Sequence, residues 1–427
     1  RSFLYPSLSS SLVITDLLRK QDIELPQWIS FAKVRASIAQ VGNDLEPYQL
    51  YSTYKIEKDP NGRTMANVDN TLYSEVRSEL IKSREVGLEL RLFDNRLGFD
   101  LAWYRSNATN QLIRLPMDPA SGYEAKIINA GDIQNEGFEL MITADILRSE
   151  AFKWNAQLNL SHNENRIIKL YQGNGQDSPV TEYDLGTYDN LQILAREGGK
   201  YGEIWGTTFK RVEDPSSPLY GKILTDADGL PIAGEKKKLG DQQPDLLAGL
   251  TNTFSFAGFD LSFLVDARIG GKMFSGTNHA LQANGSSANT AVNGRKKFVV
   301  DGAVEKNVGG KKVYEKNTTE VTPQDYWGAI SGRSGNLGIN EANVFDATSV
   351  RLRNIALSYT LPQSLLRKTP ITRAKLGFSC NNVWMIKSYM NGVDPESVFA
   401  TGSNATGYEF ASSPTTRSFL FNITLGF

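Results

Sequence analysis

The chain has 427 residues, with 46 basic and 47 acidic side chains and a net charge of -1. That balance favours neither nucleic acid nor an anionic surface. One cysteine, Cys380, rules out an intrachain disulfide, and two histidines, His162 and His279, leave no Cys/His metal cluster. Apolar residues make up 40% and mean hydropathy is -0.34. No stretch approaches the roughly 18–20 apolar residues of a membrane helix. A membrane barrel keeps the same low average, because lipid-facing and lumen-facing side chains alternate along its strands.

Alternation with period two dominates from the start, and helical periodicity is scarce. The chain opens at Arg1 within what reads as a strand, without a signal peptide, which is then already removed or upstream. A hairpin follows in which Val86, Leu88, Leu90 and Leu92 alternate with Gly87, Glu89 and Arg91. Asp94-Asn95-Arg96 turns the chain, and Leu97, Phe99, Leu101 and Trp103 alternate on the return. The clearest strand begins at Phe152, with Trp154, Ala156, Leu158 and Leu160 on one face and Lys153, Asn155, Gln157 and Asn159 on the other. Another hairpin turns at Ala257-Gly258.

The pattern predicts about thirteen strands, near 3–14, 30–42, 83–93, 97–109, 136–147, 152–164, 187–197, 202–212, 245–256, 259–270, 347–361, 371–386 and 415–427. Many approach the 9–11 residues that cross a bilayer at a tilt. Short turns (94–96, 148–151, 198–201, 257–258) take turns with long connections rich in Gly, Asn and Ser (43–82, 110–135, 165–186, 213–244, 271–346, 387–414). Short on one side and long on the other is the layout of an outer-membrane barrel, with extracellular loops on the long side. The segment 15–29 is a longer connection on the short side. The expected fold is all-β: an antiparallel, up-and-down transmembrane barrel wall over 1–427. An odd strand count ending in the periplasm also implies an odd number of strands before Arg1.

Five stretches carry a family resemblance: NAGDIQNEGFEL from Asn129, LGDQQPDLLAGLTNTFSFAGFDLSF from Leu239, VRLRNIALSYTLP from Val350, NGVDPE from Asn391, and PTTRSFLFNITLGF at the C-terminus. In this order and spacing the chain resembles the C-terminal barrel portion of the SusC/RagA family of TonB-dependent outer-membrane transporters. The resemblance implies a barrel of about twenty-two strands whose plug domain and TonB-contacting segment match nothing in this sequence. It implies import of a bulky nutrient, an oligosaccharide or an oligopeptide, with a SusD-like surface lipoprotein as lid and TonB as the energy source. It places the protein as a multi-pass receptor in the bacterial outer membrane, with the lipid bilayer and the barrel-assembly machinery as its other partners. Two alternatives stay open: a structural or adhesive outer-membrane barrel without transport, and a soluble β-rich glycan-binding protein.

Single residues divide into candidates and bland readings. A terminal aromatic, with Phe419, Phe421 and Phe427 alternating along the last strand, looks like the signal read by the assembly machinery. Tyr314, Asp325, Tyr326 and Trp327 lie in the 271–346 connection, where aromatics beside carboxylates suit sugar stacking or peptide contact. The competing reading is a loop pinned by its own aromatic anchors. Trp103, Trp154, Trp205, Tyr359 and Trp384 are expected as girdles at strand ends, and His162 as a structural histidine. Asp226-Ala-Asp228-Gly229 has the opening of a calcium loop but lacks the third acid and the distal Glu, so a solvated turn is expected. No G-x-S-x-G elbow, phosphate loop or H-E-x-x-H motif is present. Neither an enzymatic activity nor a cofactor is expected.

Overall fold

A computed structural model describes residues 4–45, 54–68, 71–73, 76–173, 179–332, 337–399, 401–402 and 404–427. The chain divides into two compact units. One holds 1–144, 158–182 and 196–200; the other holds 145–157, 183–195 and 201–427.

In the first unit the sheet runs in chain order through Ser7–Val13, Ile29–Asn43, Glu79–Leu92, Leu97–Pro116, Ala125–Arg148 and the 158–169 half of Phe152–Lys169. The hydrophobic pattern locks its register, because a slip of one residue would turn every apolar side chain to the other face. Leu12, Val34, Leu88, Leu101 and Leu140 face one another strand by strand as one aliphatic row. Leu88 and Leu101 are exposed. On the alternate positions Lys33 bonds Glu89 at 3.1 Å and Arg35 bonds Asp100 at 2.8 Å. Apolar outward and ion-paired on the other face is the dyad that a lipid-embedded wall requires. Gly137, from the NEGFEL stretch, sits where a Cβ would lie 2.1 Å from the His162 carbonyl, so only glycine lets these two strands approach. The 15–29 connection holds a helix, Ile14–Lys20.

The second unit continues the same grammar through 152–157, Leu246–Phe256, Phe259–Ile269, Ser349–Thr360, Arg373–Ser388 and Ser418–Gly426. Phe254, Leu261, Leu357, Phe378 and Phe421 form its apolar row, and Ser255, Asp260, Ser358, Gly377 and Asn422 the polar row beside it. Asp260 accepts from Ser255 at 2.7 Å and from Lys375 at 2.8 Å. Ala257 and Gly258 both take positive φ, 48° and 85°, which closes the two-residue turn.

Three expectations change. The strands expected at 187–197 and 202–212 are not wall strands. Glu182–Tyr188, Leu191–Arg196, Tyr201–Phe209 and Ala233–Asp241 form a separate four-stranded sheet, leaving eleven wall strands in the sheet order among the described residues. Ser7–Val13 and Ser418–Gly426 are the two ends of that order, each paired on one side only. The connection expected at 110–135 is mostly strand, since Leu97–Pro116 and Ala125–Arg148 stay paired out to Pro116 and Ala125. The 271–346 connection is not structureless; it holds the helices Gly276–Ala283 and Pro323–Ser331 and several short strands.

Candidate functional site

In the second unit three chain segments that leave the wall fold onto one core. Leu191, Ile193 and Ile204 come from the four-stranded sheet, Phe274 and Leu337 from 271–346, and Ala405 and Tyr408 from the segment after the Arg373–Ser388 strand. Phe274 is fully buried and stacks on Tyr408, with ring centroids 5.8 Å apart. Tyr188 also stacks on Tyr408, at 3.8 Å. Burial among these rings, with Tyr188, Asp189 and Glu409 nearby, pushes the Tyr408 phenol up to about 12. Lys272–Ser275 pairs with both Val344–Asp346 and Tyr408–Glu409, so the loops are cross-linked by backbone as well as by packing. Ser275 caps the Gly276–Ala283 helix by accepting from Asn278 N–H at 3.1 Å. The same hydroxyl donates to the buried Glu409 carboxylate at 2.8 Å, which Thr277 also bonds.

The quoted sequence stretches supply the ties between these loops and the wall. Gln242, of LGDQQP, is buried; its amide donates to the Asn404 carbonyl at 2.8 Å and accepts from Gly407 N–H at 2.8 Å. Arg351 and Arg353, of VRLRN, hold Asp394 and Glu396, of NGVDPE. Arg351 Nη2 lies 2.6 Å from Asp394, and Arg353 Nη1 lies 2.9 Å from Glu396 while its Nε bonds Asp266 at 3.0 Å. Burial pushes the Asp394 carboxyl up, but bonds from Arg351, Thr415 and two backbone N–H groups outweigh it and hold it down at about 2. Glu396, bonded to Arg353, is likewise held below the usual carboxylate range. Sequence reading quoted these stretches without seeing that they meet. The signal was the charge pairing itself, two arginines on one strand face and two acids two residues apart.

The named candidates scatter. Asp325, Tyr326 and Trp327 share the helix Pro323–Ser331, whose N-cap is Thr322; its hydroxyl accepts from Asp325 N–H at 3.2 Å. Tyr326 meets Phe298 edge-on at 5.1 Å and Trp327 at 5.2 Å, and burial raises its phenol. Tyr314 stands apart from them on the strand Lys311–Lys316, packed against Val212, Leu224 and Ala303. It lines a groove of about 860 Å³ together with Phe209, Arg211, Tyr220, Lys312 and Glu341. Arg211 lies over the Phe209 ring at 5.7 Å and bonds Glu341 at 2.6 Å. The second Glu341 oxygen takes the Phe209 N–H at 2.8 Å.

Phe419 and Phe421 both pack on Phe378, at 6.2 and 5.0 Å, and Phe427 is 82% exposed. Trp103 and Trp384 are exposed on wall strands, and Tyr359 meets Phe259 at 4.4 Å. Trp154 donates to Asn252 at 2.9 Å, covering a buried amide on an otherwise apolar face. Trp205 is not a girdle residue: it lies in the four-stranded sheet and donates to Glu203 at 2.9 Å. His162 packs beside Phe138 at 5.5 Å. Asp226 spends one carboxylate oxygen on its own turn, accepting from Asp228 N–H at 3.0 Å and Leu230 N–H at 2.9 Å. Among the described residues no three His, Cys, Asp or Glu side chains gather into a metal cage.

Comparison with known proteins agrees with this geometry. Residues 6–383 match the family model "TonB dependent receptor-like, beta-barrel". The chain is 25% identical over 452 aligned residues to "TonB-dependent receptor P3" of Formosa agariphila, covering 99% of this chain and 42% of that protein. It is 22% identical over 394 residues to "TonB-dependent receptor SusC" of Bacteroides thetaiotaomicron, covering 91% and 35%. It thus spans about two fifths of the length of such relatives. Among solved structures it is similar to the RagAB peptide importer in its open-open state, with a TM-score of 0.69 at 17% identity, covering 99% of this chain and 42% of that one. The chain belongs to the TonB-dependent receptor β-barrel family of the bacterial outer membrane.

Proposed function

We propose that this chain is the wall and loop portion of a transporter that imports a bulky nutrient, an oligosaccharide or an oligopeptide, across the outer membrane. The observation that carries the reading is the two-faced wall. Rows of exposed and half-buried aliphatic and aromatic side chains run across one face, and paired Lys, Arg, Asp and Glu lie on the other. Such a wall stands in hydrocarbon and encloses a polar path. Three of the loop segments in the second unit fold onto one core, a form suited to recognising a ligand.

Energy comes in this reading from TonB, through a plug and a contact segment on another part of the protein. A SusD-like lipoprotein closes the loop side, and Asp325, Tyr326 and Trp327 are the residues we assign to contact with lid or substrate. Phe419, Phe421 and Phe427 are assigned to recognition by the barrel-assembly machinery. The test is uptake of candidate nutrients by cells carrying the full-length protein, with and without TonB, together with co-purification of the lipoprotein. TonB-independent growth on every nutrient tried, with no lipoprotein recovered, overturns the reading.

A further inference from the structure

We infer that the groove between Phe209, Tyr220 and Tyr314 is a binding subsite for a neutral saccharide. The argument starts from charge. The groove is rich in ionised groups, and four of the five cations that line it, all but Lys210, lie against acids, Lys237 at 3.7 Å from Glu235. Arg211 bonds Glu341 at 2.6 Å, Lys312 bonds Glu305 at 2.9 Å, and Lys238 bonds Glu203 at 2.9 Å and Asp241 at 2.8 Å. At these pairs an anionic ligand would have to displace a carboxylate already in place, and a cationic one an ammonium or guanidinium. A ligand without charge breaks none of these pairs.

Ion pairs of this kind still offer much to a hydroxylated ligand. A guanidinium beside a carboxylate presents donors and acceptors next to each other, and a vicinal diol can answer both at once, because each hydroxyl donates and accepts. The aromatic residues supply the other half of the recognition. Tyr220 is 61% exposed, and Tyr314 is half-buried on a floor of Val212 and Leu224. A pyranose ring has an apolar face that stacks on such rings while its edge hydroxyls reach the polar groups. At about 860 Å³ the groove lies within the roughly 300–1,000 Å³ typical of small-ligand sites. Both walls are fixed: Glu341 holds the Phe209 backbone, and the strand carrying Tyr314 pairs with Gly302–Val308, which itself pairs with Ile223–Thr225.

This inference rests on the import reading only for the source of the ligand. Its test uses the full-length protein in detergent, titrated calorimetrically with maltohexaose, xylohexaose, mannohexaose and an uncharged hexapeptide. Tyr220→Ala and Tyr314→Leu are compared with the parent, and heat-modifiable gel mobility checks that each variant is folded. The expected result is binding of at least one hexasaccharide, weakened tenfold or more by each variant. Binding of the peptide alone, binding of no hexasaccharide, or saccharide binding untouched by both variants overturns the inference. Uptake of the same saccharides with and without TonB is measured alongside. TonB-dependent uptake with normal binding in both variants removes the groove and leaves import standing. Groove-dependent binding without uptake supports the groove and counts against import.

Discussion

Arg351 and Asp394 face each other at 2.6 Å with both side chains more than nine-tenths buried, one on a wall strand and the other in the segment that crosses to the final strand. Thr415 completes the contact: its hydroxyl accepts from Arg351 at 2.6 Å and donates to Asp394 at 2.6 Å. Removing one member of a buried pair costs about 3–5 kcal/mol, because the survivor is left uncompensated. Arg351→Met is therefore expected to release the 390–415 segment. Limited proteolysis of the folded variant should cut there before any wall strand is cut. A cleavage pattern identical to the parent's would show that the segment is held by its other ties, such as Gln242.

The same pair sets a pH dependence. Asp394 is held at about 2, below the roughly 3.9 of a free aspartate. A depressed folded-state value means that the stabilisation is fully present above about pH 4 and is lost as pH falls toward 2. Protease sensitivity of the 390–415 segment in the parent protein should rise across that window. In Asp394→Asn, already sensitive at neutral pH, it should not. Equal titration of both proteins would place the acid-labile contact elsewhere.

The two faces of the wall predict opposite outcomes for neighbouring residues. Leu261 lies exposed in the row Phe254, Leu261, Leu357, Phe378, Phe421, whereas Ser262 points the other way. Leu261→Lys should cost roughly 2–4 kcal/mol if it sits near the bilayer midplane, and Ser262→Lys should be tolerated. Folding into vesicles, followed by gel mobility with and without heating, measures the difference. Equal yields would reverse the lipid-face assignment.

Phe427 is expected to matter for assembly beyond its own packing, since it is 82% exposed. Phe427→Ser should lower the outer-membrane level far more than Leu365→Ser, a change at a residue 66% exposed in the short helix Gln363–Leu366. Phe410 is a poor control, because it belongs to the ring cluster around Tyr408 and Phe399. Immunoblots of membrane fractions decide, and equal depletion would leave the terminal aromatic without a special role.

Much of the wall was legible because apolar and polar residues alternate there along whole strands. The strands from Glu79 to Leu97 and from Leu246 to Ile269 lie within a few residues of where the pattern places them. Residues 187–212 misled for a physical reason. They alternate too, but Leu191, Ile193 and Ile204 face a packed interior rather than lipid, and a period of two does not distinguish those surroundings. The run Leu191-Gln192-Ile193-Leu194-Ala195, apolar on both faces, was the available hint. The expected connection at 110–135 reads as loop because Asn, Gly and Pro interrupt its apolar residues, yet Leu97–Pro116 and Ala125–Arg148 stay paired through it, with polar side chains bonded from strand to strand. Asn107 bonding Asp132 at 2.7 Å belongs to such a region. Thr322-Pro323, a cap followed by proline, marked the helix carrying Tyr326 and went unread. The groove around Tyr314 could not be read from sequence, since its sides come from residues about a hundred positions apart.

The shared core of the three loop segments has a consequence for engineering and for descent. Phe274, Ile204 and Tyr408 interlock, and Gln242 and Asn278 stitch neighbouring segments through backbone carbonyls. Grafting one segment from a relative would therefore bring in side chains shaped for absent neighbours. Exchanging all three together would preserve the contacts inside the graft, leaving the stems and the ties to the wall, such as Arg351 with Asp394, to be matched. Recombination that splits the three segments is therefore expected to be penalised even when each piece is sound.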